Sequence, residues 1–188
     1  MSELRVYEES GKPVATHQSF EDIRAVLEKV GVQFERWEAG RHLDAQATQD
    51  EVIEAYRTSV NRLMNQYGFK SVDVISMQPD NAQKEALRQK FLSEHTHDEF
   101  EVRFFVDGEA LFYIRDGGKI YGVLCCKGDL ISVPAMVRHW FDMGPSPLFK
   151  CIRLFTTPEG WVANYTGDKI AERFPRLEEP HYRLPQAA

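Results

Sequence analysis

Residues 95–108 read HTHDEFEVRFFVDG, and the alternation within that stretch decides the fold. Residues i and i+2 of a strand point to the same face, about 7 Å apart along the backbone, so His95 and His97 can converge on one ion. Glu101 has the same parity but lies roughly 13 Å along a straight strand, so it joins them only if the chain bends near Asp98 to Phe100. Beyond the bend, His97, Glu99, Glu101 and Arg103 share one face, while Val102, Phe104 and Val106 share the other. Taken alone, this pattern also fits an edge strand whose polar face meets water.

From residue 97 to about 165, turn signals recur at Asp107-Gly108, Asp116-Gly117-Gly118, Lys127-Gly128-Asp129, Gly144 to Pro147 and Pro158-Glu159-Gly160. The short runs between them are rich in Val, Ile, Phe, Tyr and Leu, which predicts an antiparallel sandwich or barrel. The first half of the chain alternates helices with strands. Ser19 and Asp22 open a helical stripe of Ile23, Val26, Leu27 and Val30 that ends at Gly31, and VQFERW reads as a strand. Thr48 and Glu51 have capping-box spacing, followed by one helical stripe of Val52, Tyr56, Val60, Leu63 and Met64 that closes at Gly68. SVDVISM reads as a strand, and Asp80 with Gln83 begins a helix through NAQKEALRQKF. The expected organisation is one domain over residues 1–177, with a polar, proline-containing tail over 178–188.

The chain has 188 residues, 43% of them hydrophobic and 28% charged, and a net charge of −6. This fits a globular protein with a real core. It argues against nucleic acid or an anionic membrane as the main partner. No apolar run reaches membrane-spanning length, and the N-terminus lacks the features of a secretory signal. The expectation is therefore a cytoplasmic monomer. Three cysteines, two of them the neighbours Cys125 and Cys126, build no disulfide framework and read as small core filler.

Six histidines are present. His17, His42 and His181 read as exposed loop residues. His139 is different: Gly128, Pro134 and His139 mark a strand, a turn and a returning strand in GDLISVPAMVRHWFDMG. That places His139 where it can face the His95–His97 pair across a barrel. Three imidazoles and one carboxylate suit iron, nickel, copper, manganese or zinc. Such a set leaves two positions open on a six-coordinate ion, the mark of a catalytic site.

These residues match the cupin pattern. Its first motif is similar to His95–Gly108, with both histidines, the glutamate and the closing glycine in register, and its second to Gly128–His139. Met136 stands where many cupins have glycine, and Met143 where many have asparagine. The chain as a whole resembles the acireductone dioxygenases of methionine salvage. The segments that carry the likeness are FERW (34–37), DVIS (73–76), QKEALRQKFLSEHTH (83–97), EVRFFV (101–106), DLISVPA (129–135), HWFDMG (139–144) and PEGW (158–161).

The resemblance implies a mainly β cupin, a double-stranded β-helix or jelly-roll barrel, with the N-terminal helices and strands packed on it. It implies one divalent ion, Fe(II) or Ni(II), on His95, His97, Glu101 and His139. The substrates it implies are 1,2-dihydroxy-3-keto-5-methylthiopentene and O2. Arg103 faces the barrel with Glu101 and suits an oxyanion; the resemblance adds Arg153 as its partner. The alternative for each arginine is a nearby carboxylate such as Glu99. Phe91, Phe141 and Trp161 match family positions beside the methylthio tail, although aromatic rings beside strands are also ordinary core. Glu94 is either a support for His95 or a surface carboxylate. Two other readings keep the metal ligands: a different cupin enzyme, such as a sugar isomerase or another dioxygenase, and a non-catalytic cupin that binds a small ligand.

Overall fold

A computed structural model describes residues 1–40, 43–44, 46–157 and 162–178. The chain begins with a hairpin of β1 (Glu3–Glu8) and β2 (Pro13–His17), followed by helix α1 (Phe20–Glu28) and β3 (Gln33–Arg36). Helices α2 (Gln49–Ala55) and α3 (Arg57–Tyr67), strand β4 (Ser71–Met77) and helix α4 (Lys84–Phe91) come next. The strands β5 (His95–Thr96), β6 (Glu101–Asp116), β7 (Lys119–Cys126), β8 (Asp129–Val133), β9 (Arg138–Asp142), β10 (Phe149–Phe155) and β11 (Asn164–Tyr165) complete the sheets. A 3₁₀ turn, Ile170–Arg173, follows. Among the described residues, no helix is long and apolar enough to cross a membrane.

β6 is the joint of the architecture. Its first half pairs with β8 and β10, and its second half with β7 and β9. One sheet therefore runs β11–β5–β9–β6–β7–β1–β2, and the other β4–β10–β6–β8–β3, all antiparallel. The two sheets face each other as the expected cupin barrel. The turn signal at Asp107-Gly108 is corrected: no turn interrupts this strand, which runs 16 residues. Gly108 instead makes the corner where the strand leaves one sheet for the other. Its φ is +70°, and a Cβ there would lie 1.9 Å from the Leu148 carbonyl oxygen. Only glycine satisfies both demands.

The alternation in the sequence becomes three apolar layers. Between the sheets lie Leu4, Val6, Phe112, Ile114, Val123 and Phe141 from one side and Phe34, Phe105, Ile131, Val133 and Phe149 from the other. Cys125 and Cys151 are fully buried there, as filler. The opposite parity of β6, Val102, Phe104 and Val106, lies under Val52, Tyr56, Val60 and Leu63 of α2 and α3. On the far side of the other sheet, Ile170, Ala171, Phe174 and Leu177 cover Tyr113, Trp140 and Leu111. Tyr113 and Trp140 stack there with ring centroids 5.0 Å apart.

Local signals mostly hold. Ser19 caps α1 by accepting from the Asp22 amide at 3.1 Å. Thr48 and Glu51 form a complete capping box on α2. The single helix expected across Val52–Met64 is two, broken at Tyr56 (φ −112°, ψ 14°). The break seats the buried Tyr56 ring edge-on against Phe104, 5.3 Å between centroids, and keeps the apolar residues of both pieces on the sheet. α4 starts at Lys84 rather than Asp80, because Asn81 holds a turn by accepting from the Gln83 amide. His17 is half-buried on β2, not in a loop; His42, His181 and the tail from 179 onward lie outside the described residues.

Met136 has φ +64°, the one side-chain-bearing residue in the left-handed region among those described. Its amide donates to the His97 carbonyl at 2.8 Å, so the turn before β9 is tied to the segment after β5. Two stability measurements check these turns. Gly108→Ala is expected to destabilise by about 3 kcal/mol or more, since neither the dihedral nor the space admits a methyl group. Met136→Gly is expected to stabilise by about 0.5–1 kcal/mol in denaturant melts, because relief of left-handed strain exceeds the added chain entropy.

Candidate metal centre

The chain bends at Asp98 and Glu99, between β5 and β6, and so carries Glu101 back toward the histidines. His95 and His139 are register partners on β5 and β9. His139 thus arrives from the next strand of the same sheet, not from across the barrel as its spacing suggested. The ligand atoms of His95, His97, Glu101 and His139 all lie within 4.8 Å of one another, and all four residues are buried. The imidazole centroids are 4.5–5.0 Å apart.

Backbone carbonyls set the tautomers. His95 Nδ1 meets Ser93 O at 2.7 Å, His97 Nδ1 meets Val162 O at 2.8 Å, and His139 Nδ1 meets Val137 O at 2.8 Å. A carbonyl oxygen can only accept, so each Nδ1–H donates and each Nε2 of a neutral ring presents a lone pair. Two of those lone pairs face the same carboxylate oxygen: Glu101 Oε2 is 2.8 Å from His139 Nε2 and 3.1 Å from His97 Nε2. Contacts that close need a proton or a metal ion between nitrogen and oxygen. Three imidazoles and one carboxylate fit a single divalent metal ion.

Burial works against the Glu101 carboxylate. Arg103 and the His139 and His97 rings outweigh it and hold the carboxyl well below its usual range. Burial likewise pushes His95 down, to about 4. For His97, burial is outweighed by Glu101 and the pKa rises.

Both sequence-selected arginines line the same cavity, about 410 Å³, as the metal-binding group. Arg103 Nε donates to Glu101 Oε1 at 2.7 Å, and its guanidinium lies 4.6 Å from the Phe141 ring centroid. Arg153 stands directly opposite Arg103 in the β10–β6 register and directly opposite Asp73 in the β10–β4 register. Asp73 receives it in a bidentate pair at 2.8 and 2.6 Å. Each arginine therefore has its own carboxylate, and neither uses Glu99. Glu99 accepts from the amides and hydroxyls of Thr156 and Thr157 and clamps the bend to the end of β10.

Phe91 and Phe141 meet edge to face at 6.1 Å in the cavity wall. Phe155 and Tyr165, which sequence reading missed, join them. Trp161 lies outside the described residues. Glu94 is buried, not a surface group, and accepts from Arg115 and from the Thr166 hydroxyl; its carbonyl accepts the Thr166 amide. It holds residues 162–168 against the site, including the Val162 carbonyl that orients His97 and the Tyr165 ring 5.8 Å from His95. The Val162, Asp73 and Arg115 partners depend on strand register and long-range docking, which local patterns do not carry. The Ser93 and Val137 carbonyls sit two residues before their histidines, a spacing that reading could have used.

A cupin barrel with a buried three-histidine, one-glutamate metal-binding group defines this protein's class. The chain belongs to the ARD/ARD' family, whose model matches residues 3–163. It is 54% identical over 179 residues to an acireductone dioxygenase of Aquifex aeolicus, spanning 95% of this chain and 98% of that one. It is 54% identical over 186 residues to that of Methylococcus capsulatus, spanning 97% and 100%. The solved acireductone dioxygenase from Bacillus anthracis with cadmium ion in its active center matches with a TM-score of 0.79 and 29% identity, over 88% of this chain and 98% of that one.

Loss of the Glu101 charge should weaken metal binding more than loss of an outer support would. Glu101→Gln is expected to lower affinity by at least about 100-fold in metal titrations. For the unaltered chain, Glu101 raises the His97 pKa above its usual 6.5, so protons compete with metal and affinity should fall as pH drops through that raised range, with protons released on binding.

Proposed function

We propose that this chain is an acireductone dioxygenase: it cleaves 1,2-dihydroxy-3-keto-5-methylthiopentene with O2. The observation that carries this reading is the convergence of three tautomer-fixed histidines and Glu101, with a buried arginine bonded to Glu101 at the cavity that His95 and His97 line, in a chain whose relatives bear that name. With iron, the products are formate and 2-keto-4-methylthiobutyrate. With nickel, they are formate, carbon monoxide and 3-methylthiopropionate. Both sets contain all the atoms of one substrate and one O2.

His95, His97, Glu101 and His139 would hold the ion, which would supply Lewis acidity and a template for the substrate. The remaining work falls to the chain. The substrate ionises to an enediolate, and the buried Arg103 supplies positive charge beside it. Phe141 stacks on the Arg103 guanidinium, fixing its plane. Arg153, held by Asp73, faces the same cavity from the neighbouring strand and offers a second guanidinium to the anion. Phe91, Phe141 and Phe155 form an apolar wall for the methylthio tail, where sulfur–aromatic contact is favourable; Trp161 is assigned to that wall by family likeness. The cavity volume lies in the range of small-molecule sites, roughly 300–1,000 Å³. The chain is read as a cytoplasmic monomer that engages neither nucleic acid nor membrane, a reading supported by its charge of −6.

Metal exchange tests the reaction. Iron-loaded and nickel-loaded protein, given the enediol and O2, should both consume its absorbance, and only the nickel form should release carbon monoxide. Arg103→Met should retain metal but lower kcat/KM by about 100-fold or more, the scale of one lost electrostatic stabiliser. Turnover by neither metal form removes the assignment, and an Arg103→Met enzyme of normal kcat/KM removes the role of that residue.

A further inference from the structure

Five formally charged side chains line the active-site cavity: Asp73, Lys90, Glu101, Arg103 and Arg153. Four are matched in pairs, Arg103 with Glu101 and Arg153 with Asp73. Lys90 is the cation left over. Among the described residues no carboxylate lies within ion-pair distance of its ammonium.

The ordinary explanation for a lysine in the last turn of a helix is neutralisation of the helix terminus. The other basic residues of α4 are engaged elsewhere. Lys84 Nζ donates to the Pro79 carbonyl at 2.5 Å, and Arg88 binds Asp142 in a bidentate pair at 2.8 and 3.2 Å. Among the described residues the Lys90 ammonium makes no such bond, although its own backbone is secured: its carbonyl accepts from the Tyr165 hydroxyl at 3.5 Å, and the next residue, Phe91, meets Phe141 in the cavity wall. An anchored backbone thus carries an exposed, unmatched positive charge at the cavity lining.

That charge matters because the protein as a whole carries −6 and repels an anion at long range. We infer that Lys90 is a capture residue: it draws an anionic enediolate into the cavity and hands it to the inner arginines, setting the rate of productive encounter and not the chemistry. The inference rests on the substrate class named above. It predicts a kinetic signature that a structural role would not produce, because charge at a rim acts on association and is screened by salt.

The test is kcat/KM of the iron-loaded full chain for 1,2-dihydroxy-3-keto-5-methylthiopentene at about 20 mM and about 500 mM ionic strength. Lys90→Gln should lower kcat/KM roughly 3- to 10-fold at low salt and converge on the parent at high salt, while kcat shifts less than about twofold. Lys90→Glu should fall further at low salt and recover as salt is added. Lys90→Arg should match the parent throughout. Metal content and circular dichroism serve as controls for folding. A Lys90→Gln enzyme with the parental salt dependence, or a deficit that persists at high salt or appears in kcat, overturns the inference while leaving the assigned reaction intact. A parent chain that consumes none of the enediol overturns both.

Discussion

The convergence of three oriented imidazoles on one buried carboxylate is the constraint on which the centre of this protein depends. Three imidazoles are turned by carbonyls of Ser93, Val137 and Val162 so that their bare nitrogens look inward, toward a carboxylate that is itself negative. The fold holds this arrangement because each ring is oriented by the main chain. The main chain is in turn locked into two sheets that share one strand.

The shared strand explains why charge is found inside the barrel at all. β6 turns one face toward the helices and the other toward the interior, and the second face carries Glu101 and Arg103 before it becomes Phe105. Burying either charge alone would be strongly unfavourable. They are tolerated as a hydrogen-bonded pair, with an aromatic ring against the guanidinium and imidazoles against the carboxylate. Arg153 would sit beside Arg103 as a like charge across two paired strands, an unfavourable juxtaposition, were it not for Asp73 on its other side. Polarity in this interior is assembled in opposed couples, and the register between strands decides which couples form.

What the chain reveals before folding follows the same division. Parity places His95, His97, Glu101 and Arg103 on one face, and the distance from His97 to Glu101 demands the bend that Asp98 and Glu99 provide. Capping residues at Ser19 and Thr48 mark helix starts within a residue. Information that depends on register is not legible locally. The Asp107-Gly108 dipeptide looks like a hairpin turn because a corner between two sheets needs the same left-handed glycine. Tyr56 looks like mid-helix because its break answers to Phe104, which is distant in sequence. Nothing around Glu99 discloses that its partners are Thr156 and Thr157, and Asp73 is connected to Arg153 only by a pairing 80 residues long.

The carbonyl that orients His97 belongs to a residue 65 positions downstream. Because ribosomes release a chain from its amino end, the first two imidazoles and Glu101 emerge well before Val162 does. Until Val162 is in place, the His97 ring lacks the acceptor that selects its proton position. Orientation of the His97 ring thus waits on a segment made 65 residues after it.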